Sequence, residues 1–280
     1  MSINPPMLSP DVLGLCRMID RLTVPSTDDG AVFTNLTRLH LIQQSLSKSY
    51  NYVLFGDKPL AKIYRHNHFD ASHPCCLVSC HIDSVYNMYF SDSPADDSKV
   101  YEEIRGTYDN ALCNAILVDL LMQGGLPPQV LVAFTGDEEF DSLGAVQTVA
   151  WLEAQNLRAG LAFICVMDLT EEAYGDYPIT IENVFINEAE KLIAGFPHRI
   201  FEEAGIQLPV IEKEAPDESW DYDEYGCNCF SLCLPCRLLG DNMHEDKGVA
   251  VRVDSLFLYR WYMDALLKGW AESNVVARSL

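Results

Sequence analysis

The chain has 280 residues, 49% hydrophobic and 21% charged, a balance expected of one folded globular domain and not of a disordered chain. Its 41 acidic against 19 basic residues give a formal charge of −22, which repels a phosphate backbone or an anionic membrane surface, so neither nucleic acid nor membrane is an expected partner. The opening stretch "MSINPPMLSPDVLGLCRMIDRL" has no basic region followed by an apolar core, and no later segment offers the ~18 apolar residues of a membrane span, so the ten cysteines read as reduced thiols of a soluble, cytoplasmic protein.

In chain order, Ser9-Pro10-Asp11 is a helix start signal, followed by Val12, Leu15, Cys16, Ile19 and Leu22 at helical spacing. A second amphipathic helix is expected over 34–48. The period then changes: "NYVLFGD" and "AKIYRH" read as short strands either side of Lys58-Pro59, and "CCLVSC" at 75–80 is an apolar run suited to a strand covered on both faces. A polar stretch at 84–108 leads to a helix over 111–122, the turn "GGLPP" and the strand "VLVAFTG". A helix near 143–155, the strand "LAFICVMD", the segment "PITIENVF" and a helix over 187–204 follow. "GCNCFSLCLP" at 226–235 adds a late strand, and "DSLFLYRWYMDALLKGW" a long closing helix. Strands alternating with helices predict an α/β three-layer sandwich, a mostly parallel mixed sheet between helices, in a single domain spanning 1–280.

In such sheets ligands gather beyond the carboxyl ends of the strands, and here those ends are rich in metal-ligand chemistry. "CCLVSC" leads into His81 and Asp83, "VLVAFTG" into Asp137, Glu138 and Glu139, and "LAFICVM" into Asp168. Asp109 stands just before the helix at 111, and His244 lies in the loop "GDNMHEDKG". Three adjacent carboxylates after a buried strand repel one another unless a cation or a proton sits between them. Taken singly, each has a plainer reading: Asp109-Asn110 as a turn or helix cap, Glu138 and Glu139 as a solvated first helical turn, His81 and Asp83 as a satisfied histidine and a cap.

Together, "HIDS", "GTYDNA", "DEEFDSLGA", "VMD" and "NMHEDKG" follow, in order, the motifs of the co-catalytic dizinc aminopeptidases, and over residues 50–275 the chain resembles that family, which includes leucyl, glutamyl and tetrahedral aminopeptidases. The resemblance implies that His81 and Asp168 bind one zinc, Glu139 and His244 the other, and that Asp109 bridges both, with a cis peptide at Asp109-Asn110. It assigns the catalytic roles to Glu138, as general base for a water shared by the metals, and to Asp83, as the carboxylate that holds the His81 ring. The cofactors implied are two divalent ions, zinc first, with cobalt or manganese as substitutes, and the activity is removal of N-terminal amino acids from short peptides. Glutaminyl-peptide cyclotransferase and N-acyl amino acid deacylase are alternatives on the same fold; a non-catalytic binding protein would have lost Glu138 or a ligand, and none is lost. This chain departs from the family's common pattern at Asp141, where a glycine is usual, and at 84–108, too short for the inserted lid domain of the tetrahedral enzymes. A large cage is therefore not expected, although an oligomer is open.

Three other clusters invite a chemical reading. "HNHFDASH", with His66, His68 and His73, lacks matching acidic partners and reads as an exposed loop. Cys227, Cys229, Cys233 and Cys236 lie mostly on a buried strand and read as small apolar filler rather than a zinc knuckle or redox pair. "DESWDYDEYG" is open between a solvated loop and a segment near the substrate pocket.

Overall fold

A computed structural model describes residues 12–28, 33–49, 51–92, 102–185 and 216–276. The expected helix start at 9–11 and the expected helix over 187–204 lie outside them. Helix α1 (Val12–Leu22) buries Leu15, Cys16, Ile19 and Leu22 on one face, and the short strands β1 (Thr27–Asp28) and β2 (Phe33–Thr34) pair antiparallel after it. Helix α2 (Leu36–Leu46) is capped by Asn35, whose side chain accepts from the Arg38 N–H at 2.8 Å, offsetting one of the orphan donors of the first turn.

A ten-stranded sheet follows. Its strands are β3 (Tyr52–Asp57), β4 (Ala61–His66), β5 (Cys75–His81), β6 (Ser91–Asp92), β7 (Glu103–Gly106), β8 (Val130–Thr135), β9 (Leu161–Thr170), β10 (Thr180–Glu182), β11 (Cys229–Leu238) and β12 (Val249–Arg252). They run in the order β3-β4-β8-β5-β9-β11-β12-β7-β6, with β10 also on β11. The parallel ladders join β8, β5, β9 and β11 at the centre, and antiparallel pairings flank them on both sides. Every residue of β5 and β8 is buried, as continuous apolar runs covered on both faces require.

Alternate residues of the central strands feed two cores. Cys76, Val78 and Cys80 pack with Val132, Phe134, Cys165 and Met167 beneath α1, α2, α3 (Ala111–Met122) and α6 (Val253–Val276). Cys75 and Leu77 face the other way, with Leu131, Ala133, Ile164 and Val166, against α4 (Leu143–Ala154) and α5 (Glu218–Glu224). Helix α3 is buried almost all round because α1, α2 and α6 cover the side turned from the sheet, which is why its sequence shows no polar stripe.

Some elements differ from expectation. The stretch 84–108 contains the short strands β6 and β7, held by the pairing of β7 to β12 and of β6 to β7 and not by apolar periodicity, and it carries no lid domain among the described residues. "PITIENVF" contributes only three strand residues. "DESWDYDEYG" forms α5, N-capped by Asp217, whose carboxylate accepts from the Ser219 N–H at 2.7 Å. All ten cysteines are free and buried. No helix among the described residues is long and apolar enough to cross a membrane.

The start of α4 is pressed against the end of β8. Gly144 donates to the Gly136 carbonyl at 3.0 Å, and a Cβ at Gly144 would stand 2.5 Å from that oxygen and 2.8 Å from the Leu60 carbonyl. Both obstacles are backbone, so nothing flexible can yield. Gly144→Ala is expected to lower unfolding free energy in urea by roughly 1–3 kcal/mol, the cost of overpacking a close-packed site. Gly160→Ala, where the nearest atom is 3.8 Å away, should leave the midpoint unchanged. Equal midpoints for both variants would show that the α4 start is free to move.

Candidate metal centre

Five segments bring the expected side chains together at the carboxyl ends of the central strands. His81 is the last residue of β5, beside Thr135 at the end of β8. Asp168 lies in β9, opposite Cys233 of β11. Asp109 precedes α3, and its peptide bond to Asn110 is cis. The side chain of Asn110 makes no helix cap; it donates to the Met167 carbonyl at 2.8 Å, while Asn114 donates to the His81 carbonyl at 2.6 Å. The first turn of α3 is thereby stitched to β9 and β5 next to the residues it serves. Sequence reasoning read Asn110 only as part of a turn or cap and passed over Asn114, because neither spacing nor polarity marks where a buried amide will find its acceptor.

The run Asp137-Glu138-Glu139 is divided by its backbone. Asp137 takes a left-handed φ of 68° and turns its carboxylate back to accept from the Phe33 N–H at 3.0 Å. Its carbonyl accepts from the N–H groups of Asp141 and Ser142, forming a tight turn that sends Glu138 and Glu139 forward into the cleft. Asp141 has no positive φ, so the glycine usual at that position is not needed here; the left-handed residues of the turn are Asp137 and Ser142. The side chain of Glu139 is 4% exposed, which rules out the solvated helical turn as its setting.

Two three-residue groups share Asp109. His81 Nε2 lies 3.3 Å from Asp109 Oδ1 and 3.4 Å from Asp168 Oδ1. His244 Nε2 lies 3.5 Å from Asp109 Oδ2 and 3.3 Å from Glu139 Oε2. Nitrogen and oxygen ligands about 2.0–2.2 Å from a tetrahedral zinc stand roughly 3.3–3.6 Å from one another, so the two histidine-to-carboxylate separations in each group match edges of one coordination tetrahedron. The buried Oε1 of Glu139 makes no hydrogen bond, a costly arrangement for a carboxylate that has no cation to face. A third candidate group, His81 with Glu138 and Glu139, overlaps both.

Asp83 is fully buried. Its Oδ2 accepts from the Glu139 N–H at 3.2 Å, and its Oδ1 faces His81 Nδ1 at 3.8 Å. Glu138 Oε2 lies at the same 3.8 Å from Nδ1. One rung below, the buried carboxyl of Glu218 accepts from Ser79 Oγ at 2.8 Å, and burial pushes it up to about 7.

Crowding sets the proton affinities. Burial pulls the His81 imidazole down, but Glu138, Asp168 and Asp109 outweigh it and hold it well above its ordinary value. Burial pushes Asp109 up, and hydrogen bonds from His244 and His81 overcome this to leave it below the carboxylate range. Burial, reinforced by neighbouring carboxylates, holds Glu138 well above its usual value and takes Glu139 to about 8. Asp168 rises to about 6 through burial, and the hydrogen bond to Asp109 carries His244 to about 9.

The cleft opens into a cavity of about 560 Å³, bounded by the five candidate ligands, Glu138 and Phe140, and on the far side by Thr170, Glu182, Asp217 and Cys233. No lysine or arginine lines it among the described residues. The acidic segment around 217 thus reaches the pocket through Asp217, while Glu218 is buried and Trp220 is exposed. Cys227, Cys229 and Cys236 serve the cores. His73 pairs with Asp70, and the cluster of His66, His68 and His73 forms no metal-like group among the described residues.

Residues 61–222, more than half of the chain, match Peptidase family M28. No curated protein matches the sequence at a significant level. Among solved structures, the chain is similar to aminopeptidase APDkam598 from the archaeon Desulfurococcus kamchatkensis, with a TM-score of 0.66 and 12% identity over 91% of this chain and 95% of that one. It is similar to the YXEP protein of Bacillus subtilis, described as a dinuclear metal-binding peptidase of the M20 family, at 0.61 and 12% over 96% and 99%. BSAP, a zinc aminopeptidase from Bacillus subtilis, matches at 0.53 and 13% over 74% and 48%. At these identities the structural likeness speaks for the fold.

Ligands must lose their protons to bind a metal. Burial and the Asp109 charge raise the proton affinity of Glu139, and the hydrogen bond to Asp109 raises that of His244, so protons compete with an ion for both. Zinc binding is therefore expected to tighten as pH rises from 6 to 9 and to release protons, read by calorimetry in buffers of different ionisation enthalpy. Affinity that stays flat across that range would show that these two groups do not meet the ion.

Proposed function

The chain belongs to peptidase family M28, and from that premise we propose that it is a dizinc aminopeptidase that removes N-terminal amino acids from short peptides. The observation that carries the reading is the sharing of Asp109 between two groups of metal-ligand geometry, one oxygen 3.3 Å from His81 and the other 3.5 Å from His244. In this reading His81, Asp109 and Asp168 hold one ion, and Asp109, Glu139 and His244 the other. Two divalent cations held there would polarise the peptide carbonyl and activate water.

The rest of the chemistry falls to the protein. Glu138 stands beside both groups without being needed by either, and its raised proton affinity suits a base that takes a proton from water and passes it to the leaving amine. Asp83 orients the His81 ring and holds the Glu139 backbone. The acidic, cation-free lining of the described cavity favours a protonated α-amine over a free carboxylate at the substrate end bound next to the metals. Arg237, which a terminal carboxylate would need as a clamp if it reached the cavity, is tied to Glu103 at 2.7 Å and is not among the cavity's described lining. This supports an aminopeptidase over a deacylase, and the complete five-ligand set supports it over a single-metal cyclotransferase.

Acetylating a peptide's N-terminus is expected to abolish cleavage, while amidating its C-terminus should not, as read by amino acid release. Cleavage of acetylated peptides with refusal of amidated ones would overturn the assignment. Elemental analysis after metal reconstitution should approach two ions per chain, and a reproducible single ion would point to the cyclotransferase. Glu138→Gln should retain both ions and lose on the order of 10²–10⁴ in kcat, the range for a general base; undiminished turnover would remove Glu138 from that role.

A further inference from the structure

Arg38 is among the largest fully buried side chains in the molecule, and it stands on α2, upstream of the segment that matches the family. Burying a guanidinium is costly unless its donors are met. Here Nε donates to the Leu22 carbonyl at 2.9 Å, Nη1 to the Ile82 carbonyl at 2.8 Å, and Nη2 reaches Ser84 Oγ at 3.4 Å. One planar fork thus joins the end of α1 to the residues immediately before and after Asp83. Ser26 adds a second tie, its Oγ accepting from the Ser84 N–H at 2.9 Å, and Asn35, which caps α2 at Arg38 itself, donates to the Val24 carbonyl at 2.8 Å.

What that loop carries gives the clamp a consequence. Asp83 stands next to one member of each group around Asp109: one oxygen lies 3.8 Å from His81 Nδ1 without a hydrogen bond, and the other accepts from the Glu139 N–H at 3.2 Å. A displacement of residue 83 therefore moves both halves of the site at once. The guanidinium also supplies a fixed positive charge near Asp83 and Asp109, both of which interact electrostatically with it. Asp83, Asp109, Glu138, Glu139 and Asp168 together carry more negative charge when ionised than two divalent ions neutralise.

We propose that Arg38 is a positioning residue of the metal centre, which clamps the backbone on either side of Asp83 and so sets the carboxylate that orients His81 and Glu139. The inference rests on the reading of the site as a metal centre. A lysine keeps the charge but cannot reproduce the fork, because a single ammonium cannot span Leu22, Ile82 and Ser84 with fixed geometry.

The test uses the full chain stripped of metal. Zinc affinity is measured by competition with a chelator, and the melting temperature of the stripped protein is recorded alongside. Arg38→Lys is expected to weaken zinc binding about 10–100-fold, the range for loss of groups that orient metal ligands. Because Arg38 acts through Asp83, the double variant with Asp83→Asn should bind zinc no more weakly than Asp83→Asn alone. Leu46→Ala, a buried core change on the same helix, controls for general loosening and should lower melting without this loss of affinity. Wild-type affinity in a folded Arg38→Lys, additive losses in the double variant, or the same loss in Leu46→Ala would each overturn the inference. Should Arg38→Lys fail to fold, Ser84→Ala removes one acceptor of the fork and should weaken zinc in the same direction, and unchanged affinity there would overturn it too. A wild-type chain that binds no zinc would sink the metal-centre reading itself; zinc binding by the wild type with unaltered variants would sink the role of Arg38 alone.

Discussion

Mutual repulsion among Asp109, Glu138, Glu139 and Asp168 is the constraint that the rest of the molecule accommodates. Groups of like charge that cannot all ionise in a buried space take up protons or cations; burial first, and the neighbouring carboxylates after it, raise the proton affinities of Glu138, Glu139 and Asp168. Only a scaffold with stability to spare can hold them at such separations. It is supplied by strands buried on both faces, whose two cores meet the helices above and below the sheet. The carboxylates sit where those strands end and the apolar packing stops.

Around that cluster the backbone is held by buried amides and one buried cation rather than by the carboxylates themselves. Asn110 and Asn114 fasten the start of α3 to β9 and β5. Asp137 spends its charge on the Phe33 N–H and frees its two neighbours to point forward. Arg38 holds the loop that carries Asp83. Each contact satisfies a polar group that would otherwise be costly to bury, so the same bonds that stabilise the fold fix the geometry on which the proposed chemistry depends.

The flanking antiparallel strands shape the cavity. Thr180 of β10 lies beside Cys233, which lies beside Asp168, so a single row across three strands runs from the candidate ligands to the far wall. Asp217 is secured to this surface by a hydrogen bond from Ser231. Its acidic character, and the absence of lysine and arginine among the described lining residues, follow from tertiary neighbours far apart in the chain.

The amino-acid sequence by itself determined the strands buried on both faces, the alternation that builds an α/β sandwich, and the five segments bearing His81, Asp109, Glu138 with Glu139, Asp168 and His244. These are legible because apolar periodicity is local and because metal-ligand residue types at strand ends are scarce enough to notice. Residue types and spacing alone could not separate Asp137 from Glu138 and Glu139, a distinction that only the resemblance implied, since the physical difference is one left-handed φ and a partner more than a hundred residues away. It left the acidic stretch at 217–226 open, because only the tertiary structure decides that Glu218 is buried against Ser79 while Trp220 meets solvent. It also gave no sign of Arg38 or Asn114, nor of what the Asn110 side chain does, since their meaning lies in which carbonyl each one reaches. Burial patterns are written along the chain, but a hydrogen bond between distant segments exists only once packing has brought its donor and acceptor together.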